Sequence, residues 1–132
     1  MSGTAIIRYL LANNAPLTEI VPSSKIMAGV IPLNAALPAI SIRQISGIEH
    51  KLIKRDGTQT ATDRVQVTVN ATTYPQQKKI LKLIRSALPA TRGTVNTFSV
   101  DSITPDIDGP DLYSEDPVIY EQSIDYIVRF YR

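Results

Sequence analysis

The sequence has no cysteine, no tryptophan and a single histidine among its 132 residues. Without cysteine, the chain can form neither a disulfide framework nor a thiolate metal site. Aromatic residues make up only 6% of the sequence, so the core must be mainly aliphatic, and 43% of hydrophobic residues is sufficient for one domain of this length. We therefore expect a single domain over residues 1–132 that holds no metal and no cofactor.

Residues that perform catalysis are equally scarce. His50 has no cysteine and no evident carboxylate partner, so a structural or solvated role is expected. The acidic run from Asp106 to Asp116 lacks the spacing of a calcium loop, because Asp111 stands where that loop needs glycine. The six glycines are scattered and form no phosphate-binding loop. The sequence therefore predicts a protein that is not an enzyme.

The first residues, MSGTAIIRYLLANNAPL, contain neither a basic leader nor a long apolar run. A signal peptide and a membrane span are therefore not expected. We predict a protein that folds in a cytoplasm and does not enter a membrane.

Charge is distributed unevenly along the chain. The net charge is +2, yet residues 1–100 carry +8 and residues 101–132 carry −6. One interpretation is that the two parts neutralise each other within one molecule. The other is that the acidic surface of one copy meets the basic surface of its neighbour, in the head-to-tail manner that can close rings. Both interpretations stay open at the level of sequence.

A half-buried strand is predicted just before the middle of the chain. In the stretch DRVQVTVNA, the apolar residues from Val65 to Ala71 alternate with the polar residues from Arg64 to Asn70. Such alternation is typical of a strand with one face on the core and the other in water.

An amphipathic helix is predicted directly after that strand. Thr72 or Thr73 can cap it, and Pro75 suits its first turn. Its apolar residues recur at helical spacing and form one stripe, while basic residues line another side. The stripe consists of Ile80, Leu81, Ile84 and Leu88, and the basic residues are Lys78, Lys82 and Arg85.

Periodicity and turn signals predict the remaining elements. They are a helix at Thr4–Asn13, a short turn at Leu17–Val21, strands at Lys25–Ile31, Ala39–Glu49 (with a bulge at Gly47), Thr94–Ile103 and Val118–Tyr131, a loop at Pro105–Pro117, and a projecting hairpin or loop at about 51–62. We expect an α+β fold with a mainly antiparallel sheet of five or six strands and two helices packed on one face.

Several stretches, taken in order, resemble one known family. The pattern L-P-x-I-x-I-x-x-I-S-G begins at Leu37, R-x-Q-x-x-x-x-A-x-x-Y begins at Arg64, and I-R-x-A-L begins at Ile84. Near the end, D-x-Y begins at Asp111 and Y-x-x-S-x-D-Y-x-V begins at Tyr120. Over nearly its whole length the chain thus resembles the tail completion or tail terminator (head–tail joining) proteins of long-tailed bacteriophages.

That resemblance implies a structural virion protein that forms a homo-oligomeric ring, expected to be a hexamer. The ring would sit at the head-proximal end of the tail, cap the tail tube and join it to the head connector or head completion protein. DNA would pass transiently through the ring. The resemblance also implies assembly in the host cytoplasm and a final place at the head–tail junction.

Candidate subunit contacts follow from the uneven charge. The acidic candidates are Asp101, Asp106, Asp108 and Asp125, and the basic candidates are Arg43, Arg64, Lys82 and Arg85. Exposed ion pairs contribute only ~0–1 kcal/mol each, so we expect them to set registry more than affinity.

Two further regions are expected to touch a neighbour. The last predicted strand is fourteen residues long, which exceeds what a small sheet is expected to cover, so one side of Ile127–Tyr131 should lie against an adjacent subunit. That side includes Ile127, Arg129 and Tyr131. At the predicted hairpin tip, the basic residues should contact a neighbour or the channel; they are Lys51, Lys54 and Arg55.

Two other function classes remain open. The pI near 9.0 and the basic residues of the hairpin and helix favour a small nucleic-acid-binding module. However, five of the six tyrosines lie at or after Tyr74 and do not interleave with those basic residues, as a single-strand binder would need. A small-ligand or enzyme domain is the other class, and no motif supports it.

Overall fold

A computed structural model describes residues 3–29, 31, 36–51, 59–88, 93–95, 98–115 and 118–131. The helices are α1 (Gly3–Ala12), the single turn α2 (Ala15–Thr18) and α3 (Tyr74–Ala87), with a 3-10 turn at Ser23–Lys25. The strands are β1 (Ile26–Ala28), β2 (Ala39–Lys51), β3 (Gln59–Ala71), β4 (Gly93–Val95), β5 (Phe98–Asp108), β6 (Leu112–Glu115) and β7 (Val118–Tyr131).

The strands form a mainly antiparallel sheet, as the sequence predicted. Its order is β1-β2-β3-β7-β5-β4, and β6 pairs with β7 on the same side as β5. Only β1 and β2 run parallel among the described pairs. With α1 and α3 as its two longer helices, the fold is the expected α+β class.

One face of the sheet is covered by α1 and α3 and forms the core. Along β3, alternate residues from Val65 to Val69 are fully buried, and along β7 the even-numbered residues from Ile124 to Phe130 are buried. The helices contribute Ile6, Ile7, Leu11, Ile80, Leu81 and Ile84. Full burial of an aliphatic side chain contributes roughly 1.5–3 kcal/mol to the free energy of folding, so we expect this apolar layer to stabilise the domain more than any other part.

Helix α3 begins where the sequence predicted. The Thr73 hydroxyl accepts a hydrogen bond from the Gln76 amide at 3.3 Å, and Pro75 lies in the first turn. Of the two cap candidates, Thr73 is therefore the cap, while the Thr72 amide donates to the Gln76 side chain. Because the apolar stripe of the helix faces the sheet, Lys82 and the other basic residues are left on its outer sides.

Helix α1 is capped from a distant strand. The Gly3 amide donates to the Asp63 carboxylate on β3 at 2.8 Å, and Asp63 is only 3% exposed. A Cβ atom at Gly3 would lie 2.9 Å from the Asp63 Cβ, so glycine permits this close approach. A carboxylate at a helix N-terminus is stabilised by the helix dipole and by the free amides there.

Strand β7 is the centre of the sheet rather than an overhanging end. It pairs with β3 from Tyr120 to Tyr131, and with β5 from Ile124 to Tyr131. Its first residues pair with β6. The expectation that its own sheet could not cover fourteen residues was therefore wrong, because three strands share its two edges.

The loop predicted at Pro105–Pro117 was also wrong. Strand β5 continues to Asp108, and β6 occupies Leu112–Glu115. Proline has no amide hydrogen to donate to a neighbouring strand. Pro105 is tolerated within β5 because β4 pairs with β5 only as far as Val100, and no described strand pairs with Pro105 on that edge.

Within the region of about 51–62, where a projecting hairpin or loop was predicted, the described strands reach further than expected, and the projection itself stays a prediction. Lys51 pairs with Gln59, and residues 52–58 lie outside the described ranges. Thr60–Thr62 pair with β7 as well as β2, so they belong to the sheet interior.

The bulge in β2 lies between Gln44 and Ser46 rather than at Gly47, whose missing side chain instead makes room for Asp63.

Candidate interaction surfaces

The face of the sheet opposite the helices is open and polar. Its side chains come from the alternate positions that the core does not use, such as the even-numbered residues of β3 and the odd-numbered residues of β7. Thr68 and Ser123, which are register partners, join their hydroxyls at 2.9 Å in the middle of this face. We call this surface the open face.

Charged and amide side chains form one connected network across the open face. Arg43 on β2 donates to the Gln66 side chain on β3 at 3.0 Å, and Gln66 donates to Asp125 on β7 at 3.4 Å. Asp125 also accepts from Arg64 at 3.0 Å, and Arg64 reaches Asp106 on β5 at 2.5 Å. The network thus joins β2, β3, β7 and β5 side by side.

Arg64 is the centre of that network. It contacts two carboxylates, and the hydrogen bonds to Asp106 and then to Asp125 raise the pKa of its guanidinium above the ordinary value. A guanidinium that bridges two strands in this way fixes side-chain positions on the open face. On helix α3, Arg85 similarly pairs with Asp108 at 2.8 Å.

The structure thus brings together many of the predicted interface residues, but within one chain. Arg64, Asp106 and Asp125 pair with one another, and Arg85 pairs with Asp108. For these five residues the described contacts correspond to the intramolecular interpretation of the uneven charge. Whether any of them also contacts a neighbour stays a prediction.

The other predicted contact residues are spread more widely. Ile127 is half-buried, and Arg129 and Tyr131 are exposed, all three on the open face near the end of β7. Lys82 is exposed on α3, whereas Asp101 is half-buried at a register shift in β5. The side chain of Lys51, together with Lys54 and Arg55, lies outside the described residues.

Sequence reasoning missed a surface built by β6 and the start of β7. Leu112–Glu115 pair with Val118–Glu121, and we call this unit the β6–β7 hairpin. All four residues of β6 are exposed. The pairing of β3 with β7 stops at Tyr120, so Val118 and Ile119 extend past the end of β3.

The base of the β6–β7 hairpin is fastened to α3. Lys78 donates to Asp111 at 2.8 Å and to the Gln122 side chain at 2.6 Å, and the Tyr74 hydroxyl donates to Asp111 at 2.9 Å. Gln122 in turn donates to the Gly109 carbonyl at 2.9 Å. We call these contacts the α3 clamp.

The α3 clamp shifts the ionisation of its charged members in the stabilising direction. The hydrogen bond from Lys78, followed by that from Tyr74, lowers the pKa of the Asp111 carboxyl below its ordinary value. The hydrogen bond to Asp111 raises the pKa of the Lys78 ammonium. Both groups therefore stay charged over a wider pH range than they would alone.

Aromatic residues are concentrated beside the clamp. Tyr120 lies between Tyr74, at 6.2 Å in an edge arrangement, and Tyr113, at 4.9 Å. The Lys78 ammonium lies 4.9 Å from the centre of the Tyr74 ring. Three of the six tyrosines thus meet at one end of the molecule, and Tyr74 and Tyr113 remain exposed.

Concave sites on the described surface are shallow. A cavity of about 190 Å³ on the open face is lined by Gly29, Ile31, Ser41, Arg43, Thr68, Asn70 and Glu121. Within the described ranges, histidine, aspartate and glutamate do not cluster as metal ligands would. None of the described helices is long and apolar enough to cross a membrane.

Comparison with known proteins gives a consistent assignment. The sequence profile of the family "Tail completion protein gp17" matches residues 4–131. Among solved structures, the fold is similar to a chain in the virion of a native gene transfer agent particle. That likeness has a TM-score of 0.74 at 12% sequence identity, and it covers 99% of this chain and 96% of the other. No curated protein matches the chain.

The profile match extends over nearly the whole sequence, and it includes both the strand and helix of residues 63–88 and the final strand. It confirms the resemblance that these stretches carried. At 12% identity the solved structure adds agreement of fold. The chain therefore belongs to the tail completion protein gp17 family and is a structural protein of the phage tail.

Proposed function

We propose that the protein assembles as a closed homo-oligomeric ring, a hexamer, at the head-proximal end of a phage-type tail. The ring caps the tail tube, stops its polymerisation and joins it to the head connector or head completion protein. DNA passes transiently through the ring. The observation that carries this proposal is the match to the tail completion family over residues 4–131.

The proposed mechanism is geometric rather than chemical. A ring whose one side fits the last ring of the tube, and whose other side does not recruit more tube protein, ends polymerisation without any reaction. The rigid sheet supports this role, because its open face is fixed by a network across four strands. Ile127, Arg129 and Tyr131 lie on that face, and we propose that they contact an adjacent subunit.

The rival function, a nucleic-acid-binding module, is weakened by the contacts of α3. Lys78 already binds Asp111, and Arg85 already binds Asp108. Phosphate groups would have to compete with carboxylates for two of the four basic residues on this helix. Nucleic-acid affinity depends on the number of cations free to neutralise phosphates, so α3 offers a poor site.

Mass measurement and imaging of the purified protein test the proposal. We expect native mass spectrometry to give six copies, and negative-stain images to show rings with an open centre. Added to polymerising tail tube protein, the rings should shorten the tubes. A chain that stays monomeric at all concentrations, and that binds DNA with a steep dependence on salt, would contradict the proposal and favour the nucleic-acid module.

A further inference from the structure

Two edges of the sheet point to how the subunits join. We propose that the β6–β7 hairpin of one copy docks onto the β1 edge of the next copy, with the acidic hairpin against the basic surface around β1. This inference rests on the ring proposed above, and it names two surfaces that form part of the contact, in addition to Ile127, Arg129 and Tyr131.

Three large apolar side chains of the β6–β7 hairpin are exposed. Leu112 is 51% exposed, Tyr113 is 55% exposed and Val118 is 44% exposed. Leu112 lies beside Glu121 on the open-face side of the hairpin, whereas Tyr113 and Val118 lie on the helix side, where Tyr74 extends their patch. Tyrosine and neighbouring aliphatic residues are favoured at the centre of protein contacts, because they bury a large area with few rotatable bonds.

Strand β6 also leaves one of its edges unpaired. It forms its ladder with β7, and no other described strand lies on its far side. An exposed edge strand is a template for pairing with another chain, which soluble proteins usually conceal. The edge and the apolar patch lie on the same short unit, so one partner could cover both.

The hairpin is held ready for such a contact. The α3 clamp ties its base to Lys78, Tyr74 and Gln122. On the strand side, the Gly109 amide donates to the Ser123 carbonyl at 2.7 Å. A projection that is already ordered loses little conformational entropy when it binds.

The β1 edge is the counterpart on the opposite side of the sheet. In the described sheet β1 pairs only with β2, and Ile26 lies in the row that continues through Ile40, Val69 and Gln122. The next row holds Glu121 and its partner Leu112. The rows of β1 thus end where those of β6 begin. The two strands lie four strand spacings or about 19 Å apart, and their centres are offset by roughly 12 Å along the strand direction.

Two different edges on opposite sides of the sheet suit a head-to-tail ring. A head-to-tail contact uses two different patches of each subunit, and it closes when successive copies do not climb along the axis. Joined through β6 and β1, the copies would extend the sheet from one subunit into the next.

Charge identifies the occupant as a second copy of this chain. On the hairpin, Glu115 and Glu121 make no ion pair with any described residue. Beside β1, Lys25 likewise makes none, and Arg8 uses its Nε to bind the Ile26 carbonyl at 3.1 Å. These four charges thus have opposite signs on the two surfaces, with Glu115 exposed on β6 and Glu121 half-buried on β7, as a self-complementary contact needs.

Cysteine crosslinking tests whether β6 of one copy lies beside β1 of the next. Because the chain has no native cysteine, only the introduced thiols can react. Ala28 on β1 and Ser114 on β6 are both exposed, so we would combine Ala28→Cys with Ser114→Cys. With a short bis-maleimide, the double variant should give a ladder of covalent oligomers up to the full ring. Each single variant should stay uncrosslinked. Dimers from a single variant would show a symmetric contact and overturn the proposal.

Charge reversal tests the pairing of the two surfaces. Glu115→Lys with Glu121→Lys should raise the concentration needed for ring formation by about tenfold, and Arg8→Glu with Lys25→Glu should do the same. The variant that carries all four substitutions should recover assembly, because both surfaces are reversed together. Failure of the fourfold variant to recover, with each pair alone impaired, would refute direct pairing.

An apolar substitution with a matched control completes the test. Val118→Asp should abolish ring formation while the circular dichroism spectrum stays that of the wild type. Ile48, 59% exposed at the far end of β2, provides the control Ile48→Asp, which should assemble normally. Rings formed by Val118→Asp, or equal damage from both variants, would overturn the proposal. A wild-type chain that forms no ring would instead contradict the proposed function itself.

Discussion

The two faces of the sheet are made from the same strands, yet they perform different tasks. On β7, Ile124, Tyr126 and Val128 are buried under the helices, whereas Asp125 between them and Arg129 after them face outward. The covered face is held by apolar burial, and the open face by a hydrogen-bonded network of charged side chains. Apolar burial is therefore concentrated on the covered face, and we expect that face to contribute more to stability than the open face.

The largest effect should come from emptying the covered face. Ile124→Ala removes a fully buried side chain, and we expect the free energy of unfolding to fall by about 3 kcal/mol. The matched control is Ile127→Ala on the open face of the same strand, which should lower it by less than about 1 kcal/mol. Urea denaturation of both variants measures the difference. Equal losses would mean that the two faces contribute alike to stability.

A smaller effect is expected from the polar residue buried on the covered face. Asp63→Ala removes the cap of α1, so unfolding should become easier by about 1–2 kcal/mol. Thr62→Ala, one position along on the open face, serves as the control and should stay within about 0.5 kcal/mol of wild type. Amide exchange of the first turn of α1 should accelerate only in Asp63→Ala; unchanged exchange would rule out the cap.

A third substitution should stabilise the protein. Gln77 on α3 is fully buried, and its side-chain oxygen and nitrogen find no hydrogen-bond partner among the described residues. Gln77→Met keeps the length of the side chain and removes the unsatisfied groups, so we expect a gain of about 1 kcal/mol. Lys82→Met, on the exposed side of the same helix, is the control for placing a methionine in α3, and it should not stabilise the protein. A loss of stability in Gln77→Met would show that the amide is bonded in solution.

The smallest effect concerns the pH dependence of the β6–β7 hairpin. The folded pKa of Asp111 is lowered, so its contribution is present above the ordinary value of 3.8 and is lost as pH falls through the folded value. The pKa of Lys78 is raised, so its contribution is present below 10.5 and is lost as pH rises through the folded value. Amide exchange at Leu112–Glu115, corrected for intrinsic rates, should accelerate once the pH falls below the folded pKa of Asp111 or rises above that of Lys78. Asp111→Asn should remove the acceleration at low pH.

Elements with a clear period could be predicted from the sequence. Strand β7 was predicted at Val118–Tyr131 and has those bounds, and α3 starts after one of its two predicted caps. In both, alternation or helical spacing decides the structure locally. The α+β class followed from these elements, because each has one apolar face that must be buried against another layer.

Elements that depend on distant partners could not be predicted. Prolines at 105 and 110 indicate a loop when read locally, and only the pairing with β7 makes strands on both sides of Gly109. The two carboxylates that bind Arg64 are 42 and 61 residues away, so no local pattern joins them. The cap of α1 by Asp63 spans 60 residues for the same reason.

The position of β7 also constrains when the molecule can fold. It is the last of the described strands in sequence, yet it is the link between β3 and β5. During synthesis the ribosome releases β1–β5 before β7, so the early part of the chain holds two unjoined pieces of sheet. The core closes only after β7 has emerged, and the β6–β7 hairpin takes shape at that same moment. The projecting edge of this hairpin is therefore absent until β7 has emerged.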